Sequence, residues 1–477
     1  MDEMNRYAAR NADGHCPRPQ RRKKTKMEIF KETSLPLIIL GITGLLILTF
    51  IIGSIARGIQ KRDIEEAASI AASEAAAAEE ARLAEELNTI LAKANLLADH
   101  YDYDGAIAVI DSFSGNIGAY PQLQDARVLY EYNKSTLVPW EDPKTIINLS
   151  FQTLIADPAR AFTHANYSSS MQQNFITINE FQTILERLYN SNYVLVGLKD
   201  FIEVETSDAG EAVYKYKELQ LPEGKKPIVL TQTNVNYNLY LVDSNDDMIP
   251  DKDGVGIASK LLLQSDGSFA CEMVDAEGDT VAGAYDLIPI LDAFVKEHPD
   301  FSYHGAKAVL ALTGYNGLFG YRTQPAGREL FGEEAYKEDV AAVQEIAGAL
   351  KESGYELACY TYENNPYGVF ALSEIQADMQ KWNDEVVPIL GQLDVMVFAQ
   401  NSDIGSGMLY SGEKYDYLKS IGFNYFVGFC AEGDPFTYID PEYVRQGRLM
   451  VTGENLKNNA AWFNGIFDTE GLLDEAR

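Results

Sequence analysis

Histidine is scarce, five in 477 residues, and no two histidines stand four apart, so the sequence lacks the paired imidazoles of a common hydrolytic zinc site. Cysteine is as rare: Cys16, Cys271, Cys359 and Cys430 form no CxxC pair, which excludes a zinc ribbon, a dithiol redox motif and a disulfide framework. They read as small apolar residues, and three of them in the main body leave at least one thiol free. Basic residues are outnumbered, 39 Lys and Arg against 71 Asp and Glu, for a net charge of -32. Such a surface repels phosphate backbones and excludes nucleic acid as a partner. What is abundant is core material: 46% hydrophobic and 11% aromatic residues, too much for a disordered chain. At roughly 100 to 200 residues per domain, the length allows two to four folded units.

One long uncharged run is present, the 24 residues from Thr33 to Ala56. At about 1.5 Å per helical residue it exceeds the roughly 30 Å of bilayer hydrocarbon. Residues 1 to 56 hold nine Lys or Arg, clustered at Arg21, Arg22, Lys23 and Lys24, whereas Arg57, Lys61 and Arg62 follow the run. The positive-inside bias puts the N-terminus in the cytoplasm and the rest outside. A cleaved signal peptide is the alternative, with small residues at Ser54-Ile55-Ala56. The run outlasts a signal core of roughly 7 to 15 residues, which favours an uncleaved anchor.

Residues 57 to 99 are rich in Ala, Glu and Leu and predict a long helical stalk, with a dimerising coiled coil and a solvated helix both open. Helices over Ala94–Ser112 and Gln122–Ser135, around the turn Tyr101–Ala106, resemble one tetratricopeptide-like hairpin, a spacer over 100 to 142. Beyond Pro143, short β-rich runs alternate with helical stretches, the pattern of an α/β layer or barrel. Strands are expected at Ile146–Ile155, Tyr193–Leu198, Ile228–Thr233, Lys307–Leu312, Glu356–Thr361, Val395–Gln400 and Tyr425–Phe429. Helices are expected at Ile178–Asn190, Asp286–Glu297, Lys337–Glu352, Leu372–Leu390 and Lys414–Ser420. Turn residues at Ser265–Ser268 and Ala276–Asp279 predict a β-hairpin insertion over 259 to 285.

Several separated motifs occur in a telling order: Phe181–Tyr189, Tyr193–Asp200, Leu221–Pro227 leading into Ile228–Tyr237, then Gly305-Ala306-Lys307, Ala311–Tyr315, Asp403-Ile404-Gly405 and Tyr443–Arg448. Over about residues 145 to 477 the chain resembles the polysaccharide deacetylase family, the chitin-deacetylase-like carbohydrate esterases, particularly its membrane-anchored bacterial members. The resemblance implies a distorted (β/α) barrel and a metal-dependent hydrolytic site. In the family a strand ends in Thr-Phe-Asp-Asp, supplying the base and one metal ligand, and a later pair of histidines four apart supplies two more. Here Thr233 stands at the base position, and Asn234, Tyr360 and Asn364 stand at the ligand positions. Asn148 and Gln152 stand where relatives tend to have further histidines. Thr and Asn do not ionise to activate a water, and amide and phenol oxygens hold zinc poorly. The resemblance therefore implies a dismantled catalytic site, with no zinc or similar metal expected.

Polar groups near strand ends, where barrel sites are built, are Asn236, Tyr237, Arg322, Asp403, Arg445 and Arg448, the candidates for ligand binding. Tyr237, Tyr240, Tyr360, Tyr362 and Tyr367 offer rings for sugar stacking. The string Asp243, Asn245, Asp247, Asp251, Asp253 places oxygens at alternate positions, as in the calcium repeats of thrombospondin type 3, and is a candidate calcium loop beside a solvated-loop alternative. The reading is a single-pass cell-envelope protein: basic tail 1–32, membrane helix 33–56, stalk 57–99, spacer 100–142 and barrel 143–477. Its expected function is non-catalytic binding of a cell-wall or capsular glycan, or scaffolding of an active deacetylase or glycan-synthesis partner. The alternatives are a metal-dependent carbohydrate N- or O-deacetylase with a displaced site, and a purely structural tethered protein.

Overall fold

The computed structural model describes Met27 and residues 35–405, 407, 409–430 and 433–477. The rest of the basic tail, with Cys16, and the first two residues of the uncharged run lie outside the described residues. The chain divides into two compact units, Met1–Glu85 and Glu86–Arg477.

One helix, Leu35–Asp99, runs through the division. Its first part is long and apolar enough to cross a membrane, and every Leu and Ile from Leu37 to Ile55 is exposed. An apolar helix without a packing partner suits lipid. From Glu86 onward the helix belongs to the second unit, where Ile90, Ala94 and Ala98, at four-residue spacing, are buried. The compact body therefore begins inside the expected stalk. Tyr101, at φ +65°, turns the chain, and Asp102 caps the next helix, Tyr103–Asp111, by accepting from Gly105 N at 2.8 Å. The helix expected over Ala94–Ser112 is thus two helices, and the second packs beside Pro121–Ser135; Tyr101 Oη donates to Asp300 O at 2.7 Å.

Seven strands close the barrel: β1 (Ile147–Phe151), β2 (Lys226–Thr233), β3 (Ala308–Leu312), β4 (Glu356–Cys359), β5 (Val395–Val397), β6 (Tyr425–Phe429) and β7 (Val444–Met450). Each is parallel to the next, and β7 pairs with β1 through Arg448↔Asn148, which seals the ring. All seven strand C-termini point to one end. The expected (β/α) barrel is present, with two corrections. Tyr193–Leu195 is not a ring member but an outer strand beside β2, and the seventh ring strand is β7, which was not expected. Its sequence, Val-Arg-Gln-Gly-Arg-Leu-Met, has little β-branched character, yet all seven residues are buried, so tertiary context overrides propensity. Other ends shift too: the first strand stops at Phe151, and the helix from Leu372 ends at Glu385, before the short Pro-bearing turn Val387–Leu390. The insertion has three antiparallel strands, Lys260–Leu263, Phe269–Val274 and Thr280–Gly283, one more than a hairpin.

Helices pack on the ring by their apolar stripes. Ile178–Asn190 opens with a Thr177/Glu180 capping box and buries Phe181, Ile184, Leu185 and Leu188. Alternate strand residues such as Leu149, Phe151, Leu230, Leu312, Leu357 and Phe398 meet this outer layer in the main core. The intervening residues face the interior, which is apolar on β3 to β6 (Val309, Ala311, Ala358, Val395, Val397, Val427) and polar on β1, β2 and β7. There Thr231 Oγ1 donates to Asn148 Oδ1, and Asn148 Nδ2 to Gln446 Oε1, both at 2.9 Å.

Candidate functional site

The C-terminal end of the ring has two unlike halves. Over β1, β2 and β4 lie the positions singled out by the deacetylase resemblance. Thr233 ends β2 fully buried, its Oγ1 donating to Phe151 O at 3.3 Å. Asn234, at φ +60°, donates from Nδ2 to Gln152 Oε1 at 3.0 Å, while its Oδ1 is buried without a partner. Tyr360 is only 5% exposed, with the Arg448 guanidinium 5.8 Å from its ring centre. The backbone carbonyl of Asn364, at φ +58°, accepts from Gln400 Nε2 at 2.8 Å, and its side-chain Oδ1 is buried without a partner among the described residues. Base and ligand positions thus carry hydroxyl and amide groups. Among the described residues no three His, Cys, Asp or Glu side chains gather as a metal set. This donor set does not fit a water-activating divalent metal.

The loops of this half are pinned by buried polar hubs. Asn236 accepts from Thr313 N at 2.7 Å and donates to Thr313 O and Gly317 O, which ties the β2 loop to the β3 loop. Its amide is fully used, which removes it from the ligand candidates. Tyr237 leaves the set as well: it is 0% exposed, in the core, with its hydroxyl 3.6 Å from Cys271 Sγ, and burial pushes its pKa up. Asp378 was not anticipated. Nearly buried, it accepts from Tyr362 N, Glu363 N, Asn365 Nδ2 and Tyr367 Oη at 2.5 to 3.1 Å and fixes the loop that carries Tyr360 and Asn364. A second hub, Asp286, accepts from Leu154 N at 2.9 Å and Gln232 Nε2 at 2.7 Å, and burial pushes its carboxyl up to about 6. Of the five tyrosines considered for stacking, four are buried and only Tyr240 is open, at 49% exposure and 6.0 Å from the Tyr167 ring.

Over β5, β6 and β7 the end of the ring opens into a cleft of about 640 Å³. Asp403 and Arg445 form its floor: Arg445 Nη2 meets Asp403 Oδ2 at 2.7 Å, and Asp403 Oδ1 accepts from Tyr410 Oη at 2.6 Å. The guanidinium lies 4.3 Å from the Tyr410 ring centre and 5.3 Å from that of Phe436. Two glycines paired across β6 and β7, Gly428 and Gly447, make room for this floor. A Cβ on Gly428 would collide with Asp403 Oδ2, and one on Gly447 would stand 2.9 Å from Cys430 Sγ and against the Phe436 ring. The walls are Asn401, Ser402 and Asp434, whose side chains make no hydrogen bond among the described residues, together with Phe429, Phe436 and Val369. Of these lining residues the sequence reading had found only Asp403 and Arg445. The cross-strand glycine pair shows only after the register is known.

Arg448 lies inside the ring, not in the cleft. It is 0% exposed and donates to Val427 O and Gly428 O at 3.1 Å and to Phe398 O at 2.8 Å; burial lowers its pKa. It ties the ends of β5 and β6 together. Arg322 does not line this cleft: on the segment after β3 it donates from Nε to Met248 O at 3.1 Å. In the acidic loop, Asp243 accepts from the backbone N–H of Asn245, Asp246 and Met248, Asn245 from Asp247 N, Asp247 from Ile249 N, and Asp251 from Ser244 N and Asp253 N. These are successive local turns, each side chain facing its own backbone.

No protein-family model matches the chain, and no curated protein matches it. Among solved structures, the Streptococcus pyogenes deacetylase PplD in complex with acetate is similar over 67% of this chain and 95% of that one, at 11% identity and a TM-score of 0.34.

Proposed function

We propose that this protein is a membrane-anchored glycan-binding member of the polysaccharide deacetylase class whose hydrolytic chemistry has been lost. The observation that carries the reading is the open cleft of about 640 Å³ over β5 to β7, with its uncommitted Asn401, Ser402 and Asp434 beside Phe429 and Phe436. Hydroxyl and amide groups that hydrogen-bond sugar hydroxyls, next to rings on which a pyranose face stacks, are what carbohydrate recognition requires. The paired Asp403 and Arg445 keep the floor polar while nearly cancelling its charge. On the other half of the ring end, Thr233, Asn234, Tyr360 and Asn364 support the loss of hydrolysis, since none of them activates a metal-bound water.

The full chain in lipid nanodiscs is expected to be retained on immobilised cell-wall or capsular polysaccharide, equally with and without EDTA, and to release no acetate from acetylated glycan. Metal-dependent acetate release would restore the enzyme reading, and absence of retention would favour a scaffold. The basic flank before the apolar run supports a cytoplasmic N-terminus, with the barrel outside the membrane. Protease added to cells stripped of outer layers is expected to degrade the barrel; protection of residues 100–477 would reverse the orientation.

A further inference from the structure

A second cavity, of about 310 Å³, lies between the acidic loop, the three-stranded insertion and the helix Glu333–Glu352; it shares no lining residue with the Asp403–Arg445 cleft. Its walls divide by chemistry. One is apolar, built from Ile249, Pro250, Phe331 and Ala335. The other carries two opposite charges with hydrogen-bonding capacity to spare. Arg322 is 7% exposed and gives Nε to Met248 O at 3.1 Å and Nη1 to Asn316 O at 3.5 Å, which leaves Nη2 without a bond among the described residues. Asp339 accepts from Arg322 N at 2.8 Å through Oδ2, and its Oδ1 takes no bond among the described residues. The two side chains make no ion pair within 4 Å, so each keeps charge to offer. Lys260 and Glu272, also lining the cavity, add one charge of each sign, 3.8 Å apart.

A cavity that is neutral in sum, offers a separated cation and anion, and is apolar opposite them suits a ligand with the same three features. An anion alone would leave Asp339 facing it, and a cation alone would leave Arg322 facing it. We infer that this cavity binds an apolar amino acid as its zwitterion, with the carboxylate on Arg322 Nη2, the ammonium on Asp339 Oδ1 and the side chain between Ile249 and Phe331. The volume has room for one such molecule.

The inference does not rest on the glycan reading and is tested apart from it. L- and D-leucine are titrated calorimetrically into the full chain in nanodiscs, beside N-acetyl-leucine, which lacks the ammonium, and leucinamide, which lacks the carboxylate. Leucine of either hand is expected to bind saturably, with each blocked form weaker by about tenfold or more, the loss of a charge-assisted contact. Asp339→Asn, which keeps an oxygen for Arg322 N, is expected to weaken leucine by a similar factor. Ala335→Leu, which fills the cavity without touching a charge, is expected to abolish binding. Failure of both enantiomers to bind, equal affinity for leucine and its blocked forms, or unchanged binding in both variants overturns the inference.

Discussion

The two halves of the barrel's open end differ in where their hydrogen bonds go. Over β1, β2 and β4, Asn236, Asp286 and Asp378 each accept from a backbone N–H of a neighbouring loop, and Asp378 holds the loop that carries Tyr360 and Asn364. Over β5 to β7, the side chains of Asn401, Ser402 and Asp434 make no hydrogen bond among the described residues and line a cleft. A polar side chain that pins a loop is unavailable to a ligand without leaving a buried group unpaired, at a cost of about 1 to 3 kcal/mol. The first half spends much of its polar chemistry on the fold, and the second leaves three polar side chains unbonded among the described residues.

The largest expected effect tests the closed interior. Arg448→Ala removes the donor to Phe398 O, Val427 O and Gly428 O and leaves those carbonyls beside a void. Loss of one partner from a buried charged network typically costs about 3 to 5 kcal/mol, to be read by denaturant titration. A change below about 1 kcal/mol would break the contrast, because the ring end would then not depend on its buried cation.

A somewhat smaller effect tests the Asp286 hub by pH. Its carboxyl is raised from the ordinary 3.8 to about 6 by burial, so the folded state holds the proton more tightly than the unfolded chain. Stability from this group is therefore present at about pH 4, declines as pH rises towards 6, and is flat above. The total is about 3 kcal/mol. Asp286→Asn should flatten that slope in unfolding measured from pH 4 to 8. A parent protein with no decline over this window would show that the hub is not strained by its charge.

Much of this arrangement was legible in the sequence, for identifiable reasons. Six ring strands and five flanking helices carried strong apolar runs or 3.6-residue periodicity, and the helix Ile178–Asn190 was bounded correctly because Thr177 and Glu180 mark its start. The strand β7 was not legible, since two arginines, a glutamine and a glycine look like a loop until neighbours bury them. At the site, the deacetylase pattern pointed to Thr233, Asn234, Tyr360 and Asn364, but pattern does not reveal burial. Asp378 holds the loop of Tyr360 through bonds to residues 11 to 16 positions away, and Asn236 holds the loop of Tyr237 through Thr313, 77 positions away. The cleft depends on Gly428 facing Gly447, and cross-strand register between residues 19 apart is set by the closed ring.

The smallest effect on stability carries the sharpest statement about function. Ser402→Ala with Asp434→Ala removes two cleft groups that make no side-chain hydrogen bond among the described residues, so the unfolding free energy should stay within about 0.5 kcal/mol of the parent. Each group bonded to a sugar hydroxyl contributes about 0.5 to 1.5 kcal/mol, so the pair should weaken glycan retention by roughly five- to a hundredfold. Tyr360→Ala is the opposite case: a buried ring lost beside Arg448 should cost about 3 to 5 kcal/mol of stability while the cleft chemistry stays in place. At a temperature where that variant remains folded, it should still bind glycan. If Tyr360→Ala abolished retention and the double variant did not, recognition would belong to the half of the ring end that the deacetylase pattern marks, and the open cleft would be no more than a gap between loops.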